Sequence, residues 1–163
     1  MSFQNQFTKT TTDANLMETV HHGSAEYPFR YYYENIALFD FKCIDWHWHS
    51  ELEFIYIESG NVVFDIGTVH FELNEGNGIM INSKILHRLQ SSSDAIIPNF
   101  LFQPSFIAPQ DSLIYKKYIN PVISSSLEYL VFQPDIPWQK KALEIIKTII
   151  AVQKTEFNRE IIV

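Results

Sequence analysis

Cysteine is almost absent from this sequence: Cys43 stands alone among 163 residues. One thiol cannot close an internal disulfide or build a thiolate metal cluster, so a reducing, cytoplasmic setting is expected. Basic residues are scarce too. Twelve Lys and Arg face 19 Asp and Glu, giving a formal charge of −7. So acidic a chain lacks the positive footprint with which proteins displace counterions from nucleic acid, and any DNA contact is expected outside these residues. No apolar run approaches the roughly 20 residues of a membrane helix. Met1 to Gln6 show no charged region leading into an apolar stretch, so no signal peptide is expected either. A phosphate-cradling glycine loop, a dinucleotide fingerprint and a GxSxG elbow are all missing.

What is abundant is aromatic and β-branched. Hydrophobic residues make up 46% and aromatics 15%, with 13 Phe and 8 Tyr, which excludes disorder over most of the length. Residues 1–26 are polar and Thr-rich, and read as a loosely ordered arm with at most a helical turn near Asn15–Val20. His21 and His22 in it read as a solvated pair. From about Arg30 to Phe132 short strands alternate with turns: Glu53–Ile57, Asn61–Ile66, Thr68–Leu73, Ile79–Ile81, Ile85–Gln90, Pro98–Phe102 and Leu127–Phe132. That spacing predicts an all-β sandwich or barrel. Ser91 to Asp94 reads as a turn, and Pro104–Ile123 as a long connection with a short helix near Leu113–Asn120. Pro137 stands where a first-turn proline belongs, and Trp138–Lys154 is predicted as helix. Trp138, Ala142, Ile145, Ile149 and Val152 form one apolar stripe, expected to lie on the barrel. Leu143, Ile146 and Ile150 form a second, expected to face the partner in a homodimer, because two adjacent stripes exceed what one core needs. A further helical pattern opens at Phe157 and runs to Val163 without a cap, as expected of a chain that continues.

The chemistry concentrates in Trp46-His47-Trp48-His49-Ser50-Glu51-Leu52-Glu53. In a strand His47, His49, Glu51 and Glu53 share one face, and His87 follows later. Two His at i and i+2, a carboxylate four further on and a distant third His suit Zn, Fe, Mn or Ni with positions left open. The same four side chains would equally serve as polar lining that hydrogen-bonds an organic ligand. Trp46 and Trp48, of opposite parity, are expected to pack between barrel and helices. Arg30 and Arg88 are candidate partners for an anionic ligand, or surface salt-bridge formers.

His47-x-His49-x3-Glu53-x6-Gly60, with Gly76 and His87 in register, resembles the two motifs of the cupins. Where the first motif has a glycine six before the first His, this chain has Phe41. The Pro, Gly and Asn positions of the second motif hold Asn82, Lys84 and Ser91. Tyr27-Pro28-Phe29-Arg30, the Trp46–Glu53 segment, Gly76-x-Gly78-Ile79-x-Ile81-Asn82-Ser83 with His87, and Ile136-Pro137-Trp138-Gln139 together resemble the N-terminal domain of AraC-type transcription regulators. The resemblance implies a mainly β fold: a double-stranded β-helix (jelly-roll) barrel over 27–134 with C-terminal α-helices. It further implies a small-molecule effector in the barrel, a sugar being the first candidate, bound by His47, His49, Glu53, His87 and Arg30. A helical dimerisation segment would span 135–163, using Leu143, Ile146 and Ile150. A helix-turn-helix pair beyond this chain would bind DNA. No catalytic residue and no required cofactor are implied, and a divalent transition metal on His47, His49, Glu53 and His87 stays open. The competing readings are a small cupin metalloenzyme (an isomerase or oxygenase) built on those four residues, and a stand-alone sugar-binding module.

Overall fold

A computed structural model describes residues 7–155; the pattern from Phe157 to Val163 lies outside them. Among the described residues nine strands form: β1 (Phe29–Asn35), β2 (Cys43–His47), β3 (Leu52–Tyr56), β4 (Asn61–Ile66), β5 (Val69–Asn74), β6 (Gly78–Ile81), β7 (His87–Gln90), β8 (Ile96–Phe102) and β9 (Tyr129–Phe132). Two antiparallel sheets result, ordered β1-β8-β3-β6-β9 and β2-β7-β4-β5. The interleaved order makes this the double-stranded β-helix barrel, so the mainly β jelly-roll fold is shown. Inward-facing Ile55, Ile57, Phe64, Ile66, Ile79, Ile81, Leu89 and Ile97 fill the space between the sheets, as strand alternation requires. A π-helical turn, Tyr115–Ile119, runs into the short helix α1 (Asn120–Ile123), close to the short helix the sequence predicts.

The outer face of the five-stranded sheet is a ladder of phenylalanines. Phe54 stacks on Phe100 at 5.3 Å and on Phe102 at 5.9 Å, and Phe29 stacks on Phe100 at 5.7 Å. Helix α2 (Pro137–Gln153), with Pro137 in its first turn, lies on this ladder. Here the structure corrects the expectation. Leu143, Ile146 and Ile150 are the buried stripe, packed on Phe29, Met80, Phe100, Phe102 and Phe132, so they face no partner. Of the stripe expected on the barrel, Ala142 and Ile149 do pack against this cluster, whereas Trp138 and Ile145 are 56% exposed. The reason is local. Gly78 has no side chain, and a Cβ built there would lie 2.9 Å from a Leu143 methyl, so the sheet carries a dip that admits Leu143.

Residues 7–26 also differ from the expected loose arm. Their backbone lies along the barrel: Glu18 N–H donates to Trp48 O, Trp48 N–H to Leu16 O, and Asp40 N–H to Thr8 O. No helical turn forms at 15–20. Trp48 packs under this segment, its indole N–H donating to Asn15 O at 2.9 Å, while the Arg88 guanidinium sits 5.3 Å over Trp46. The two tryptophans thus face the arm and Arg88, and not the helices.

Two departures from the cupin motifs carry backbone strain. Phe41 (φ 58°) and Lys84 (φ 63°) keep the left-handed conformation at positions where the motifs have glycine, a conformation disfavoured for side chains with a Cβ.

Candidate functional site

The segment 47–53 is not one strand. His47 closes β2 in the four-stranded sheet, Glu53 belongs to β3 in the five-stranded sheet, and His49 sits at the corner between them. Convergence survives because the chain turns the corner with these side chains still directed inward. His47 is registered directly opposite His87 on β7, with ring centroids 4.2 Å apart. The ligating nitrogens of His47, His49 and His87 lie within 4.8 Å of one another, and all three residues are buried. Glu53 Oε2 stands 3.3 Å from His49 Nε2 and 3.2 Å from His87 Nε2. Glu51 departs from the group: its carboxylate accepts from Gln103 Nε2 at 2.7 Å.

Each imidazole is oriented in the same way. Nδ1 of His47 faces Asp45 O at 2.7 Å, Nδ1 of His87 faces Ile85 O at 2.8 Å, and Nδ1 of His49 faces Glu51 O at 3.2 Å. A backbone carbonyl can only accept, so Nδ1 carries the proton in all three rings and Nε2 is turned to the common centre. That is the outer-shell arrangement that prepares histidines for a metal. His87 Nε2 is buried and, with the ring proton on Nδ1, makes no hydrogen bond even though Glu53 Oε2 stands 3.2 Å away, an orphan that a bound ion or ligand atom would satisfy. These residues therefore fit a divalent transition ion.

Protonation follows the same geometry. Burial, then the neighbouring His87, pushes His47 down to about 3, so it stays neutral. Burial also works against a charge on His49, but the Glu53 carboxylate outweighs it and raises that ring. Burial would raise Glu53, yet His49 and His87 hold it well below the usual carboxylate range.

Above this centre lies a cavity of about 50 Å³, lined by residues of both sheets and of the N-terminal segment, including Lys9, Glu18, His22, Tyr32, Glu34, His47, Glu53, Asn99 and Leu101. His22, which the sequence suggests is solvated, is buried: Nδ1 meets Tyr32 Oη at 2.9 Å and Nε2 meets Glu18 Oε2 at 2.9 Å. His21 is exposed. On the same sheet as Tyr32, Asn99 Nδ2 donates to Glu34 Oε2 at 2.9 Å. None of Glu18, His22, Tyr32, Glu34 or Asn99 is among the residues expected from sequence. The alternation of β1 was the available signal, since Tyr32 and Glu34 share its inward parity. Arg30 is not with the histidines. It is exposed, lies 5.7 Å over the Tyr32 ring, and lines a separate surface depression with Tyr27 and Gln153. Arg88 points outward and pairs with Asp65 at 2.8 Å.

Among the described residues no helix is long and apolar enough to cross a membrane. The chain is 32% identical over 140 residues to the uncharacterized HTH-type transcriptional regulator YdeC of Bacillus subtilis, covering 84% of this chain and 47% of that protein. It thus spans about half the length of that relative, and no helix-turn-helix pair is present among the described residues. Two solved structures are also similar. One is a cupin 2 conserved barrel domain protein from Salinispora arenicola (13% identity, TM-score 0.43, covering 55% of this chain and 71% of that one). The other is the Bacillus subtilis oxalate decarboxylase with its Mn(II) centres (21%, TM-score 0.36, 37% and 18%). Residues 26–109, which carry strands β1 to β8 and all four converging side chains, match the AraC-like ligand binding domain family. By that match the chain belongs to the AraC-like ligand binding domain family.

Proposed function

We propose that this chain is the effector-sensing and dimerisation part of an AraC-type transcription regulator, taking a small molecule into the barrel cavity. The observation that carries this reading is the buried set of His47, His49, Glu53 and His87, of which His47 and Glu53 line a cavity that the N-terminal segment also lines. A wall that is peripheral in the chain and central in the cavity lets occupancy be felt at the surface. DNA enters only through a domain outside these residues, consistent with the −7 charge.

A divalent transition ion belongs to the same proposal. His47, His49 and His87 would hold it through Nε2, with Glu53 beside them, and it would supply a Lewis-acid contact for an oxygen of the effector. The second reading, a small cupin metalloenzyme, rests on the same oriented imidazoles, while kinship with a regulator favours sensing. Dimerisation, with the α2 stripes reassigned, would use the exposed row of Trp138 and Ile145.

Equilibrium dialysis of the chain against Zn²⁺, Mn²⁺, Ni²⁺, Co²⁺ and Fe²⁺, followed by thermal shift with a panel of monosaccharides, tests the reading. One ion per chain, lost in His87→Ala, together with a sugar that raises the melting temperature and is recovered unchanged, supports a sensor. A ligand converted to product supports the enzyme. Sedimentation of the chain and of Ile145→Asp tests the dimer: a parent that stays monomeric well above micromolar concentration excludes it.

A further inference from the structure

Glu34 is used by nothing described so far. It is buried on β1, on the inner face of the five-stranded sheet, and lines the cavity. Glu34 is registered with Ile97 and Tyr32 with Asn99, so Asn99 reaches it diagonally, the second-nearest relation on one sheet face. That single amide donor, at 2.9 Å, is its hydrogen-bond partner. No lysine or arginine pairs with it among the described residues. The charges that face it, Glu53 from β3 and Glu18 from the N-terminal segment, are both acidic. Lys9 lines the cavity and, among the described residues, pairs with no carboxylate. A buried carboxyl without a counter-charge is costly and calls either for a proton or for a cation. Around it the lining is apolar, with Phe39, Ile97 and Leu101.

We propose that Glu34 and Asn99 form the recognition wall of the cavity and that the group they take is the ammonium of a small aliphatic amine, its carbon chain lying on the apolar lining. The proposal rests on the sensing reading above and names the chemical class of the effector. A carboxylate or phosphate would meet Glu34, Glu18 and Glu53 as like charges, and a neutral alcohol would leave Glu34 without its counter-charge. At about 50 Å³, against the roughly 10–15 Å³ that one water-sized probe needs, the cavity suits a molecule of a few heavy atoms.

A matched series on one carbon skeleton tests this without any variant. Propylamine, propanol and propionate are titrated into the 163-residue chain with EDTA present, following the Asn99 side-chain amide by NMR. Propylamine is expected to shift that signal at concentrations at least tenfold lower than the other two need. Glu34→Gln, close in shape, is expected to abolish the preference, and Glu34→Asp to restore part of it. Equal or tighter binding of propanol or propionate overturns the amine assignment and leaves the sensing reading intact. Silence with all three overturns it as well, and the sensing reading falls only if the metal and sugar panel is silent too. An unchanged preference in a folded Glu34→Gln chain would show that another group binds the amine.

Discussion

At the level of single residues, the chain tolerates groups that its fold does not favour. Lys84 and Phe41 occupy left-handed backbone where glycine is at ease, and Phe41 is fully exposed. Lys84→Gly is expected to raise the unfolding free energy by up to about 1 kcal/mol, because relief of Cβ strain exceeds the extra freedom that glycine gives the unfolded chain. Chemical denaturation reads the gain directly, and a loss would mean that the Lys84 side chain contributes something its backbone conceals. Glu34 makes a pH-dependent case. Its carboxyl ionises near 4.5 when unfolded, and burial pushes it up to about 7 in the fold. Below 4.5 both states hold the proton and nothing is lost. Between 4.5 and 7 only the unfolded chain releases it, so stability falls as pH rises and levels off above 7. The drop is on the order of 3 kcal/mol at about 1.4 per unit. Glu34→Gln should therefore gain on the parent by that amount between about pH 4 and pH 8, and parallel stability curves would refute the assignment. His47, His49, Glu53 and His87 were legible in the sequence because metal-type spacing is local and His87 falls at a fixed motif offset. Glu18, His22 and Asn99 were not, since they reach the cavity from the arm and from β8, through long-range register that no local spacing encodes.

Among elements, strands were the easier reading. Asn61–Ile66 forms β4 with the bounds expected of it, and β5, β6 and β8 shift by one or two residues. Periodicity falls silent where two answers are equally apolar. On α2 it yields two neighbouring stripes and no means of choosing between them. The choice is made by Gly78 and the phenylalanine ladder, which the sequence places far from the helix. Leu143→Ala should consequently cost about 2–5 kcal/mol by leaving a cavity over Gly78, whereas Ile145→Ala should stay within about 0.5 kcal/mol. Thermal melts of the two variants check this, and comparable losses would contradict the burial of the 143 stripe. The straight strand expected through 47–53 fails for a related reason: strand parity holds only within a sheet, and this segment leaves one sheet for the other at His49.

For the whole molecule, the formal charge of −7 opposes association with a phosphate backbone. The chain is expected to show no sequence-selective shift of duplex DNA at any salt concentration. A salt-sensitive, selective shift would reverse that view. The same corner at His49 has a mechanical side. His47 and His87 hang from one sheet and Glu53 from the other, so an occupant gripped by all four acts as a rivet through both walls of the barrel. Opening either wall then requires first letting go of the occupant, and the free energy of binding is added to the resistance of each wall alike. Hydrogen exchange should slow in β2, β7, β3 and β8 together on loading, by one common factor. A guest held by the histidines alone would quiet the four-stranded wall and leave the phenylalanine-backed wall breathing as before.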